Sequence, residues 1–92
     1  MPDARAYQTL EFIRATFLTS LSDLAREDQR RVIRALEQLD ADERMPSLRV
    51  HQLQGSQSGL WSASASRNLR IAFLRLTGGH KLMVECSNHY GD

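Results

Sequence analysis

The sequence predicts a two-layer α+β fold, a helical hairpin packed on a mainly antiparallel four-stranded sheet. Three observations carry that expectation. Apolar residues between Phe17 and Leu39 recur at three- and four-residue intervals, those between Trp61 and Cys86 alternate, and the alternating half is cut by short turns. Strands joined by such turns pair antiparallel, and amphipathic helices bury their stripes on a face of that sheet.

The element order is β-α-α-β-β-β. Gln8 to Arg14 alternates weakly and reads as a first strand. Phe17, Leu21 and Leu24 then fall on one helical face, with Thr16 available as N-cap. Arg26 to Asp40 carries Val32, Ala35, Leu36 and Leu39 as its stripe, and Glu27 and Asp28 suit the positive end of its dipole. The hairpin breaks near Ala25 to Glu27, and Pro46 makes Arg44 to Leu48 a loop. Gly55 to Gly59 is a flexible turn, and Leu60 to Ser66 is a strand. Leu69 to Phe73 follows after a tight turn at Ser66 to Asn68. A second turn at Thr77 to His80 leads to Lys81 to Cys86, with Leu82, Val84 and Cys86 on one face.

Ninety-two residues make one domain, 1–92, and 41% apolar with 25% charged residues is an ordinary globular composition. No apolar run reaches the ~18–20 residues of a membrane span, and the start shows no signal-peptide core. One cysteine excludes an internal disulfide, and three scattered histidines beside it make no metal-ligand set. A cytoplasmic protein without metal or cofactor is expected. Cys86 reads as a small buried apolar residue and His80 as a turn residue.

Charge is uneven. Residues 1–46 carry seven arginines against nine carboxylates, whereas 47–92 carry five cations against two. No carboxylate interrupts the stretch from Arg44 to Val84, which holds Arg44, Arg49, Arg67, Arg70, Arg75 and Lys81. Such a run attracts phosphates or an acidic partner, and Arg, which outnumbers Lys eleven to one, grips both with a planar fork.

Several segments together resemble a known family. They are Phe17-Leu18-x-x-Leu21, Gln29-x-x-Val32-x-x-Ala35-Leu36-x-x-Leu39, Pro46-Ser-Leu-Arg-Val-His51-x-Leu-x-Gly55, Gly59-Leu-Trp-Ser62, Asn68-Leu-Arg-Ile-Ala-Phe73 and Asn88-His89-Tyr90. Their order and spacing, more than any one motif, are similar to the RelE/ParE superfamily of bacterial toxins. The resemblance implies the same fold and a toxin of a type II toxin–antitoxin system, neutralised by a cognate antitoxin in a hetero-oligomer. RelE-like members cut mRNA on the ribosome; ParE-like members inhibit gyrase. His51-Gln-Leu-Gln-Gly is similar to the YafQ-type branch, which implies His51 and His89 as catalytic residues and Arg70 at the scissile phosphate. RelE-like members usually carry a further Arg where this chain has Ser64, and their tail commonly reaches an aromatic residue several positions beyond the histidine, for which Tyr90 is the candidate. These departures keep open a ParE-like gyrase inhibitor and a catalytically inert antitoxin-binding module.

Metal-independent RNA cleavage needs a base for the 2′-hydroxyl, an acid for the leaving 5′-oxygen and a cation on the phosphate. Imidazoles, with an ordinary pKa of about 6.5, serve either proton-transfer role, and Arg supplies the permanent charge. The expected catalytic set is His51, Arg70 and His89, base and acid being exchangeable. Expected RNA contacts are Arg49, Arg67, Lys81, Trp61 and Tyr90, with Trp61 either stacking on a base or packing in the sheet.

Overall fold

The computed structural model describes residues 7–55 and 59–88. Strand β1 is Leu10–Glu11, helix α1 Ala15–Ser22 and helix α2 Arg26–Ala41. A 3-10 turn at Pro46–Leu48 precedes β2, His51–Gln52; β3 is Leu60–Ser66, β4 Leu69–Arg75 and β5 Lys81–Asn88. The sheet order is β1-β5-β4-β3-β2. Only β1 against β5 is parallel; the other pairs are antiparallel. The expected two-layer α+β architecture stands, with five strands instead of four. The additional strand is the two-residue β2, too short to leave a periodic signature.

Both helices cover one face. Phe17 and Leu21 of α1, with Val32, Ala35, Leu36 and Leu39 of α2, meet Ala63, Leu69, Ile71, Phe73, Met83 and Cys86 of the sheet. Gln29 closes the helical hairpin by donating from Nε2 to the carbonyls of Leu21, in the last turn of α1, and Leu24, in the connection, at 3.1 and 3.2 Å. The hairpin breaks at Asp23 to Ala25, slightly before the expected position, because Arg26 already opens α2.

Thr16 is not the N-cap of α1. Arg14 occupies that position, and Thr16 lies inside the helix with its hydroxyl donating to Val84 O at 2.8 Å. One turn on, Ser20 Oγ accepts from Cys86 N at 3.0 Å. β1 covers only Lys81 and Leu82 of β5, so these hydroxyls, four residues apart on α1, take up alternate backbone groups further along the same edge. Helix α1 shields a strand edge as well as filling the core.

The face assignment of β5 also changes. Ala72 pairs with Glu85 and Phe73 with Met83, so Val84 is an extra residue in a bulge. A one-residue slip exchanges the faces of a strand. Met83 and Cys86 therefore join the cluster under the helices together, while Leu82, itself buried, and the half-buried Val84 are not part of it. Burial pushes the Cys86 thiol above its ordinary pKa, partly offset by a hydrogen bond with Ser20, which fits its expected role as a small apolar residue.

Candidate functional site

The face of the sheet away from the helices carries the polar half of the strand alternation. Ala63 goes to the core and Ser62 and Ser64 point the other way. In register, His51 stands opposite Ser62 and Ser64 opposite Arg70. The result is a groove of about 300 Å³ whose lining includes Arg49, His51, Ser64, Arg67 and Arg70. Three arginines and a histidine thus line one cavity, and no carboxylate is among its described lining residues. This is the arrangement expected from a cation run without interspersed acids once strand pairing folds it back on itself.

Local geometry sets each side chain. Pro46 starts a 3-10 turn whose last bond runs from Arg49 N to Pro46 O, 3.2 Å. Arg49 then takes a left-handed conformation (φ 48°, ψ 45°) that ends the turn and leads into β2. Its carbonyl oxygen lies 2.7 Å from Nδ1 of the exposed His51. Arg67 lies in the two-residue turn between β3 and β4, and Arg70 is the second residue of β4. Ser62, only 2% exposed, and Ser64 form the floor; their alternation with Trp61, Ala63 and Ala65 was the available signal for them.

Two expected RNA contacts do not join this cluster. Trp61 turns to the helix side, where it packs against the core and carries the Arg75 guanidinium 4.1 Å above its ring. Arg75 in turn grips Glu43 with both terminal nitrogens at 2.9 Å, and that hydrogen bond holds the Glu43 carboxyl below its ordinary pKa against the opposing effect of burial. Packing, the second of the two roles expected for Trp61, is therefore the one observed. Lys81 is 5% exposed, donates to Gly79 O at 3.3 Å and lies 3.7 Å from Glu43. It pairs with Arg75, five residues along β4 from Arg70, a separation of about 17 Å at ~3.3 Å per residue. Its ammonium faces the interior and shares Glu43 with Arg75, a result of the fold bringing Glu43 to a segment that is locally free of acids. His80 is a turn residue as expected, with Nδ1 2.8 Å from Glu11. His89 and Tyr90 lie outside the described residues; the residue before them, Asn88, pairs with Leu69, which also lines the groove.

Fold and groove define a class: a helical hairpin on one side of a small, mostly antiparallel sheet and a cationic cleft on the other. Solved structures that share this fold include toxins of toxin–antitoxin pairs, and this chain has the RelE/YafQ-like fold. A RelBE toxin–antitoxin complex from Mycobacterium tuberculosis superposes with a TM-score of 0.71 at 17% identity, over 88% of this chain and 96% of that one. YafQ from Escherichia coli gives 0.66 at 19% identity, over 91% and 100%. An archaeal RelE–RelB complex from Pyrococcus horikoshii gives 0.69 at 13%, over 94% and 98%. No sequence-family model and no curated protein matches the chain.

Proposed function

We propose that this protein is the toxin of a type II toxin–antitoxin pair and acts as a ribosome-dependent mRNA endoribonuclease. The observation that supports this most is the convergence of His51 and Arg70 with Arg49 and Arg67 in one groove that has no carboxylate among its described lining residues. His51 removes the proton of a ribose 2′-hydroxyl, whose oxygen attacks the adjacent phosphorus. Arg70 and Arg49 hold the nonbridging oxygens as charge builds, and the bond to the 5′-oxygen breaks as His89 protonates it. The products are a 2′,3′-cyclic phosphate and a 5′-hydroxyl end. Arg67 binds the flanking backbone. The groove is a local cationic patch on a chain of net charge +1, which suits a substrate already threaded through a ribosome better than capture of free RNA. An antitoxin segment with acidic residues would cover the same face in a toxin–antitoxin hetero-oligomer; two of the similar structures are complexes of this kind.

Programmed ribosomes supply the test. The purified chain cuts the bound mRNA, and His51→Ala lowers the rate by about 10²–10⁴ while leaving the circular dichroism spectrum unchanged. Equal cutting by parent and variant removes the assignment. The placement of Ser64 opposite Arg70, where RelE-like toxins usually add an Arg, favours a ParE-like gyrase inhibitor as the alternative. Intact mRNA with inhibited DNA supercoiling would select that reading, and absence of both effects an inert antitoxin-binding module.

A further inference from the structure

Arg49 is the only non-glycine residue with positive φ among the described residues. Left-handed backbone is unfavourable for a side chain without a local polar group to compensate, so the surrounding structure must hold it. What the strained residue achieves is visible one step on: its carbonyl oxygen sits 2.7 Å from His51 Nδ1. A right-handed φ at this position would continue the 3-10 turn and carry that carbonyl away from the ring.

We infer that Arg49 is a positioning residue through its backbone: its left-handed conformation selects the tautomer of His51. A carbonyl oxygen only accepts, so the contact requires a proton on Nδ1, and in the neutral ring the lone pair is then on Nε2. The imidazole is held at two points, its backbone by the pairing of His51 with Ser62 and its ring by this hydrogen bond. Nε2 is then the ring nitrogen left to accept a proton. The catalytic meaning rests on the nuclease reading above; the tautomer itself does not.

The experiment is a ring nitrogen–proton correlation spectrum of the nitrogen-15-labelled full chain at about pH 8, where imidazoles are mostly neutral. The parent shows His51 mainly as the Nδ1–H tautomer. Arg49→Asn, which removes the guanidinium but tolerates left-handed backbone, keeps that ratio. Arg49→Val, whose branched side chain resists it, lowers the ratio about fivefold, the shift expected for one ordinary hydrogen bond. A parent spectrum dominated by Nε2–H, or an Arg49→Val ratio equal to the parent's, overturns the inference. If Arg49→Val does not fold, the parent and Arg49→Asn spectra still decide. The expected spectra in a chain that leaves mRNA intact would uphold the tautomer assignment and remove the nuclease reading.

Discussion

Arg70 has a division of labour forced on it by its neighbours. It stands beside Ser64 instead of a second Arg, so the phosphate charge in the proposed reaction falls on it and on Arg49. Replacing Arg70 with Gln keeps an unbranched polar side chain but removes the permanent charge. The expected loss is about 10²–10³ in cleavage rate on programmed ribosomes, the magnitude typical of one transition-state donor. Lys81→Met should leave the rate within about twofold, because its ammonium is bound to Gly79 and Glu43 and sits at the other end of the sheet. Equal losses in both variants would mean that general cationic charge, and not the groove, matters. The run without carboxylates made His51 and Arg70 candidates in the sequence, on the logic that such a run finds few partners among its own neighbours. That logic failed for Lys81 because it is blind to Glu43, which lies outside the run and reaches it only through the fold.

At the scale of elements, the fold depends on a few side chains that tie one segment to another. Asp40 near the end of α2 accepts from Gln8 N, Thr9 N and the Thr9 hydroxyl at 2.7 to 3.0 Å, anchoring the chain just before β1. Burial works to raise its pKa, but those hydrogen bonds outweigh it and hold the carboxyl below its ordinary value. A depressed carboxyl releases its proton more readily in the folded state. Its contribution is therefore complete above the unfolded value of about 4 and is lost as pH falls through the folded one. Asp40→Asn should cost about 1–2 kcal/mol at pH 7 and show a smaller further loss between pH 5 and pH 2 than the parent, measured by urea unfolding. Parallel loss in parent and variant across that acid range would assign the titration to Glu43 or another carboxylate. The helices were legible from their stripes, and their caps were not. Thr16 satisfies the rule for an N-cap, yet its hydroxyl is used on the edge of β5, a partner 68 positions away.

For the whole molecule, a single layer of core between hairpin and sheet supports everything on the opposite face. Leu36 is fully buried in it, between the helices and the sheet. Leu36→Ala should destabilise by about 2–5 kcal/mol, a large part of the ~5–15 kcal/mol available to a domain of this size, and lower Tm by more than about 10 °C. Below the new Tm the cleavage rate proposed for the groove should be kept, because none of its described lining residues comes from the helices. Loss of activity in the cold, folded variant would show that the two faces are mechanically coupled.

Local pattern was enough to determine the class of architecture, the order of the long elements and the cationic character of one segment. Each of these depends on residues within a turn or two of one another, where periodicity and steric preference act directly. The bulge at Val84, the left-handed backbone of Arg49 and the pairing of His51 with Ser62 are different in kind. They cost energy or carry no preference locally and exist because packing and strand register, summed over distant parts of the chain, outweigh what the neighbours in sequence would choose.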